Sequence, residues 1–307
     1  MKNFLTFCLF VSAISINAEN VNKNHIDNFE CNPFVNVFTT YSVKAKSPNN
    51  KPGQIIMTKL PCKLLQGICE REFCIYLPPE YDNNPNETYP VLYLLHGGGC
   101  SYTDWQYQLH LKQDLDSLIE VNLAKKMIVV APEANKDNMM YFNAPQWKYE
   151  DFFFNELIPY IEKNYRTLKD KSGRGVAGFS MGGGAAVVYA THHPELFSFV
   201  GDMCGYLRRQ PLEFLRNDPS AEWRQAVIED NNPIVRFQNG NEYDINAWKS
   251  INWFITVGDH DFTLEANMDF IKILRQYQIP HHFQVLEGFH DYNYVKHALI
   301  EVLKRAF

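Results

Sequence analysis

Arg174-Gly175-Val176-Ala177-Gly178-Phe179-Ser180-Met181-Gly182-Gly183-Gly184 is the stretch on which the reading of the chain turns. Val176-Ala177 reads as the end of a buried strand. Ala185-Ala186-Val187-Val188-Tyr189-Ala190 reads as a helix small enough to pack tightly on a sheet. Strand, Gly-x-Ser-x-Gly, helix describes a sharp turn that lifts one hydroxyl out of the sheet. Gly178 and Gly182 suit it, because backbones approach where a Cβ would clash. The Met181 N–H is left at a helix N-terminus, aimed where a negative oxygen could sit. Two glycines and a serine also meet at this spacing by chance. The pentapeptide therefore needs partners: an oxyanion loop before it, and an acid and then a histidine after it.

The chain supplies them in that order. Pro90 to Leu95 is a continuous apolar run, as in a parallel strand buried on both faces. His96-Gly97-Gly98-Gly99 follows at once, and its glycines let a backbone amide approach a substrate. By position the Gly98 N–H pairs with that of Met181; a plain glycine turn is the alternative. Downstream, Trp253–Val257 runs into Gly258-Asp259-His260-Asp261, and His282–Leu286 into Glu287-Gly288-Phe289-His290-Asp291. A serine hydroxyl needs a neutral imidazole to take its proton and a carboxylate to hold that imidazole. His290 alone stands just after the final strand. His96 is read as ordering its loop and His260 as a surface bystander. His281 and His282 precede the last strand, at the wrong end of the sheet, and His192, His193 and His297 fall on or beside helices. Asp259 and Asp261 share one loop and stay rivals for the acid.

The totals agree with an ordinary globular chain. Of 307 residues, 46% are hydrophobic and 21% charged, enough for a sizeable core. The net charge of −6 leaves no basic surplus for a nucleic acid or an anionic membrane. Met1-Lys2-Asn3, the apolar run Phe4–Ile16 and Asn17-Ala18 read as a secretory signal cut after Ala18, too short to span a bilayer. Glu19–Glu30 then forms a loose leader, and residues 31–307 one catalytic domain. With Cys8 removed, Cys31, Cys62, Cys69, Cys74, Cys100 and Cys204 are an even set in an oxidising compartment, which suggests disulfides. Cys62 and Cys69 flank one turn and are a candidate pair. No cysteine or histidine spacing supports a metal site. Asn86-Glu87-Thr88 is a glycosylation sequon in a polar loop.

Outside the motifs, Val35–Lys44, Gln54–Leu60 and Glu72–Leu77 read as opening antiparallel strands. Asp104–Lys126 and Glu150–Tyr165 carry helical periodicity on either side of the strand Met127–Val130. Phe197–Met203 is a further strand, and helices over Leu264–Gln278 and Tyr294–Phe307 complete the alternation. That alternation predicts a mostly parallel sheet with helices on both faces, the α/β-hydrolase fold. Arg208–Lys249 breaks the rhythm and is expected near the active site, either as a cap or flap or as a plain surface excursion.

Tyr93-Leu94-Leu95-His96-Gly97-Gly98-Gly99 with Asp104-Trp105, Gly178-Phe179-Ser180-Met181-Gly182-Gly183, Gly258-Asp259-His260-Asp261-Phe262 and Gly288-Phe289-His290 resemble the esterase-D-like group. Within it the similarity is to carbohydrate esterase family one, the feruloyl and acetyl-xylan esterases, and it runs from about Tyr76 to Phe307. The resemblance implies Ser180, Asp261 and His290 as the catalytic residues and so selects Asp261 over Asp259. It maps the Gly98 and Met181 amides onto the oxyanion hole. It implies a secreted serine esterase with no metal or cofactor, acting on ester-bearing plant cell-wall polysaccharide, with feruloyl esters first and acetyl xylan as the alternative. Similar folds also serve as other acyl hydrolases and acyltransferases. The family often has a tryptophan shortly after the histidine, where this chain has Asp291-Tyr292-Asn293-Tyr294. Trp105, Trp147, Tyr206 and Phe289 lie on loops near the catalytic end and are the candidate substrate contacts. A non-catalytic binding protein on the same scaffold is the reading from another class; the complete set of Ser180, Asp261 and His290 argues against it.

Overall fold

The computed structural model describes residues 51–134, 141–144, 147–207 and 216–307. The signal (1–18), the leader (19–30), the strand 35–44 and Cys31 lie outside the described residues.

The chain opens with β1 (Gln54–Pro61) and β2 (Glu70–Leu77), then β3 (Val91–Leu95). Two short helices follow, α1 (Asp104–Tyr107) and α2 (Leu111–Glu120), then β4 (Ile128–Pro132). A small hairpin of β5 (Asn143–Ala144) and β6 (Trp147–Lys148) leads into α3 (Tyr149–Phe152). Helix α3 widens over Phe153–Leu157 and continues as α4 (Ile158–Asn164). Next come β7 (Arg174–Phe179), α5 (Met181–His192) and β8 (Phe199–Met203). Helices α6 (Ala221–Asp230), α7 (Pro233–Gln238) and α8 (Glu242–Lys249) fill the described part of the insertion. The chain closes with β9 (Asn252–Gly258), α9 (Leu264–Gln276), β10 (His281–Leu286) and α10 (Tyr292–Arg305).

Among the described residues one eight-stranded sheet forms, in the order β1-β2-β4-β3-β7-β8-β9-β10. Only the β1–β2 and β2–β4 pairings are antiparallel. Every residue of β3, β4, β7 and β8 is buried, which is why β3 and β4 read as unbroken apolar runs rather than alternating ones. One face is covered by α3, α4, α5, α7, α8 and α9, through Phe153, Ile161, Val187, Phe237, Trp248 and Phe270. The other is covered by α1, α2 and α10, through Trp105, Leu115, Leu299 and Val302. The strand order reverses at β3, whose successor β4 lies on one side and β7 on the other. Ligands of open α/β sheets bind at such a switch point, beyond the carboxyl ends of the strands. Leu95 pairs with Gly178 across β3 and β7, so the glycine loop and Ser180 leave the sheet side by side.

Two expectations are corrected. The helix expected over 104–126 breaks after Tyr107, because His110 takes a left-handed backbone at φ 55° with no glycine to signal it. The Cys62–Cys69 pair is not bridged. Cys62 is buried and its Sγ donates to the Ile68 carbonyl, while Cys69 is exposed. Among the described residues, Cys62, Cys69, Cys74 and Cys204 form no disulfide with one another. Among the described residues no helix is long and apolar enough to cross a membrane.

Candidate active site

The turn at Ser180 is built by contact. A Cβ on Gly178 would stand 2.3 Å from the Gly182 carbonyl, and one on Gly182 would stand 2.2 Å from the Leu95 oxygen. With both side chains reduced to hydrogen, strand, turn and helix touch. The strain falls on Ser180 itself, at φ 54° and ψ −114°. Such a backbone costs a non-glycine residue about 1–3 kcal/mol and persists only where its surroundings hold it. Here the Ser180 N–H donates to the Met203 carbonyl at 2.9 Å, and its own carbonyl accepts from Gly184 and Tyr206 at 3.0 Å each.

The loops after β9 and β10 bring the imidazole and the carboxylate to that hydroxyl. His290 Nε2 lies 2.8 Å from Ser180 Oγ, and His290 Nδ1 lies 2.7 Å from Asp261 Oδ2. With the proton on Nδ1 donated to the carboxylate, Nε2 is left to accept from the serine hydroxyl. Asp261 Oδ1 accepts from both the amide and the hydroxyl of Thr263, each at 2.8 Å. The buried Cys204 thiol adds a further donor. Its sulfur, an Asp261 oxygen and a His290 nitrogen lie within 4.8 Å of one another. Burial alone would raise the Asp261 carboxyl. The hydrogen bonds from His290, Thr263 and Cys204 outweigh it and hold Asp261 below the ordinary carboxylate range. Burial and the adjacent Asp261 keep Cys204 firmly a thiol.

Asp259 sits differently. It is open to solvent, and its Oδ1 accepts from the Gly288 amide at 2.9 Å and pairs with His260 Nδ1 at 2.7 Å. The His260 amide in turn donates to the Gly288 carbonyl at 3.0 Å. Asp259 and His260 thus staple the β9 and β10 loops together, and neither is bonded to Ser180.

On the other side of Ser180, the glycine loop is fixed by His96. Its Nδ1 bonds to the Gly97 carbonyl at 2.9 Å, and its Nε2 accepts from the Ala134 amide at 3.1 Å. Tyr141 donates to the His96 carbonyl at 3.2 Å. Glu133 ties the far end through the Ser101 hydroxyl at 3.1 Å. Gly98 stands clear, with no atom within 4 Å of where its Cβ would be. The Met181 amide opens α5. Tyr292, in the stretch that departs from the family pattern, donates to Asp104 Oδ2 at 2.8 Å, and the same oxygen accepts from Ser101 N at 2.9 Å. Helix α10 is thereby tied to the glycine loop.

The four aromatic candidates divide. Trp105 and Trp147 are corrected to packing residues. Trp105 is 2% exposed under α1, and Trp147 is 4% exposed, stacked on Tyr149 with Arg71 over its ring. Neither has surface left to meet a substrate. Tyr206 joins Phe142, Met181, Leu207, Val188 and Ile228 around an apolar slot of about 30 Å³ beside the start of α5. Phe289 stands in solvent next to His290. A larger cavity of about 280 Å³ lies across Pro233, lined by Thr191, His192, Arg236 and Asp244; neither Ser180 nor His290 lines the slot or this cavity, and the slot reaches the nucleophile's turn only through Met181.

Four residues were given no site role from the sequence: Thr263, Cys204, Phe262 and Ile228. Thr263 carried the one readable signal, since a threonine two residues after an aspartate commonly donates back to it. The insertion is also clearer. Helices α7 and α8 anchor on the far end of α5, where Arg236 Nε and Trp248 Nε1 donate to the Thr191 carbonyl at 3.3 Å each. The slot is reached by α6 through Ile228 and by the start of α7 through Pro233.

Known proteins resemble this chain over most of its described length. The family model Esterase ("Putative esterase") matches residues 68–306. A solved structure of a ferulic acid esterase is 34% identical, with a TM-score of 0.77, covering 84% of this chain and 100% of that one. Esterase Rv1288 of Mycobacterium tuberculosis (strain ATCC 25618 / H37Rv) is 30% identical over 243 residues, 70% of this chain and 51% of that protein. An endo-1,4-beta-xylanase/feruloyl esterase of Xylanibacter ruminicola is 35% identical over 137 residues, 43% of this chain and 19% of that protein. The chain spans about half, or less, of the length of these curated relatives.

Proposed function

This chain belongs to the esterase family, and from that premise we propose that it is an exported serine carboxylic-ester hydrolase acting on feruloyl esters of plant cell-wall polysaccharide. The observation that carries the reading is the unbroken chain Ser180–His290–Asp261, at 2.8 and 2.7 Å, mounted on a strained turn at the switch point of the sheet.

The chemistry follows from the geometry. Ser180 Oγ attacks the ester carbonyl carbon while its proton passes to His290 Nε2. The carbonyl oxygen becomes negative and is held by the Gly98 and Met181 amides, each worth about 3 kcal/mol in comparable sites. Asp261 stabilises the imidazolium. As the tetrahedral intermediate collapses, the carbon–oxygen bond to the alcohol breaks, and the alcohol leaves with the proton from Nε2. Water then attacks the acyl-enzyme, its proton goes to Nε2, and the acid departs as Ser180 recovers its hydrogen.

Two things support the feruloyl half of the reading: the slot walled by Phe142, Tyr206, Leu207 and Ile228, and the ferulic acid esterase 34% identical to this chain. A second reading, an acetyl ester, is favoured by the slot's volume of about 30 Å³. That is room for about a single small group, so a hydroxycinnamoyl ring requires the slot to widen. The Met1–Ala18 segment supports export, and oligosaccharide or polysaccharide is the expected partner. Rates on methyl ferulate and on acetylated xylan decide the acyl group. Hydroxycinnamate release is expected; acetate release alone would transfer the assignment to acetyl esters.

A further inference from the structure

Two phenyl rings stand in water beside His290. Phe262 is 66% exposed and Phe289 is 60% exposed. Rings so placed forgo the stabilisation that burial gives an aromatic side chain, and they add little to either core cluster. They are nonetheless well supported. The Phe262 ring lies 4.4 Å from the His290 imidazole. The Phe289 ring lies 5.1 Å from that of His260, which Asp259 holds at 2.7 Å. Asp259 also accepts from the Gly288 amide, so the Asp259–His260 pair fixes the backbone immediately before Phe289. The pair has no part in the chemistry proposed above.

Position gives these rings a meaning. The apolar slot is walled from Phe142, α5, α6, the start of α7 and the segment after β8. Both phenyl rings belong to loops after β9 and β10, the two strands that follow β8 in the sheet order, and neither lines the slot. In an acyl transfer the group that departs past the imidazole is the alcohol, because the imidazole gives it its proton. An open shelf also suits one kind of alcohol better than another. A fatty alcohol gains most in an enclosed apolar channel. A sugar ring is apolar on its C–H faces and polar at its rim, so it lies on an exposed aromatic face while its hydroxyls keep polar company. Such company is present: the His260 side chain is 58% exposed and that of Asp259 42%.

We propose that Phe262 and Phe289, backed by the Asp259–His260 pair, form the binding shelf for the sugar half of the ester. This assignment rests on the esterase reading. It concerns the alcohol and not the acid, so the two can fail separately.

The test compares one acid in two alcohols. kcat/KM is measured on methyl ferulate and on a feruloylated arabinose oligosaccharide, for the wild type, Phe262→Ala, Phe289→Ala, Phe262→Trp and Phe289→Tyr. Each alanine variant is expected to lower the ratio of sugar-ester to methyl-ester kcat/KM about three- to tenfold, through KM on the sugar ester. The aromatic variants keep the wild-type ratio. An unchanged ratio in both alanine variants overturns the shelf. So does a parallel fall on both esters, which would mean that the rings only support His290. If the wild type releases no hydroxycinnamate, the feruloyl reading fails by itself. The same ratio is then read on acetylated xylo-oligosaccharide against ethyl acetate, with the same outcomes deciding the shelf.

Discussion

Asp261 and Phe262 are neighbours in the chain and occupy different media. Asp261 is 5% exposed and accepts from His290, from both donors of Thr263 and from the Cys204 thiol. Phe262 is 66% exposed, and its ring lies 4.4 Å from that of His290, tilted by 51°. The contrast extends to the whole site. Behind Ser180 lies a buried layer of Asp261, Thr263 and Cys204, where polar atoms are held by several partners. Toward solvent stand Phe262 and Phe289 beside His290, and an apolar slot opens beside the start of α5. Groups that must hold a proton donor to within a fraction of an ångström are over-determined, since a loose imidazole loses most of its effect. Groups that meet a substrate are left with free surface, because that surface is what they contribute.

The sharpest break of this contrast is Asp261→Asn. The asparagine keeps the shape but removes the charge and favours the wrong imidazole tautomer. kcat on any accepted ester should fall about 10³–10⁴-fold; a loss of less than about tenfold would show that the buried layer does not act through Asp261. A smaller effect is expected on the front side. Ile228→Trp fills the slot from α6 and should lower the ratio of hydroxycinnamoyl to acetyl turnover about tenfold or more. An unchanged ratio would place the acyl group elsewhere.

The smallest effect is on stability. Asp202 is fully buried between Gly183 and Gly205, and its carboxylate oxygens find no well-formed hydrogen bond among the described residues. Burial, with Asp261 adding to it against the Gly205 amide, pushes its carboxyl up to about 8. In the unfolded chain it ionises near 3.9. Between those values the folded state holds a proton that the unfolded state has lost, so stability falls as pH rises from about 4 to about 8 and levels off beyond. Asp202→Asn removes this term. Its melting temperature relative to wild type should rise by a few degrees between pH 5 and pH 8. A difference that stays flat with pH would mean that Asp202 is ionised in the fold.

The same contrast explains how much could be read from the sequence. β3 and β4 were legible because strands buried on both faces leave unbroken apolar runs. Gly178, Gly182 and Ser180 were legible because a close turn admits few residues. Ser180, Asp261 and His290 are brought together as their order after successive strands requires. The choice between Asp259 and Asp261 was not available from residue physics, since both are aspartates in one loop. Burial and Thr263 separate them, and burial belongs to the fold. Trp105 and Trp147 misled for the same reason: a tryptophan on a loop can face the core or the solvent, and spacing does not say which. The break at His110 was hidden because no glycine or proline marks it. Ile228 and Phe262 were given no role because free surface leaves no pattern in a single chain.

The central claim is that Ser180 is the nucleophile of a serine esterase. It is tested most directly by labelling the purified protein with a fluorophosphonate probe and mapping the modified peptide by mass spectrometry, with Ser180→Ala alongside. Stoichiometric label on Ser180, lost in Ser180→Ala together with hydrolysis of a nitrophenyl ester, is the expected result. Label on another residue, or a Ser180→Ala protein that still turns over the ester at the wild-type rate, would contradict it.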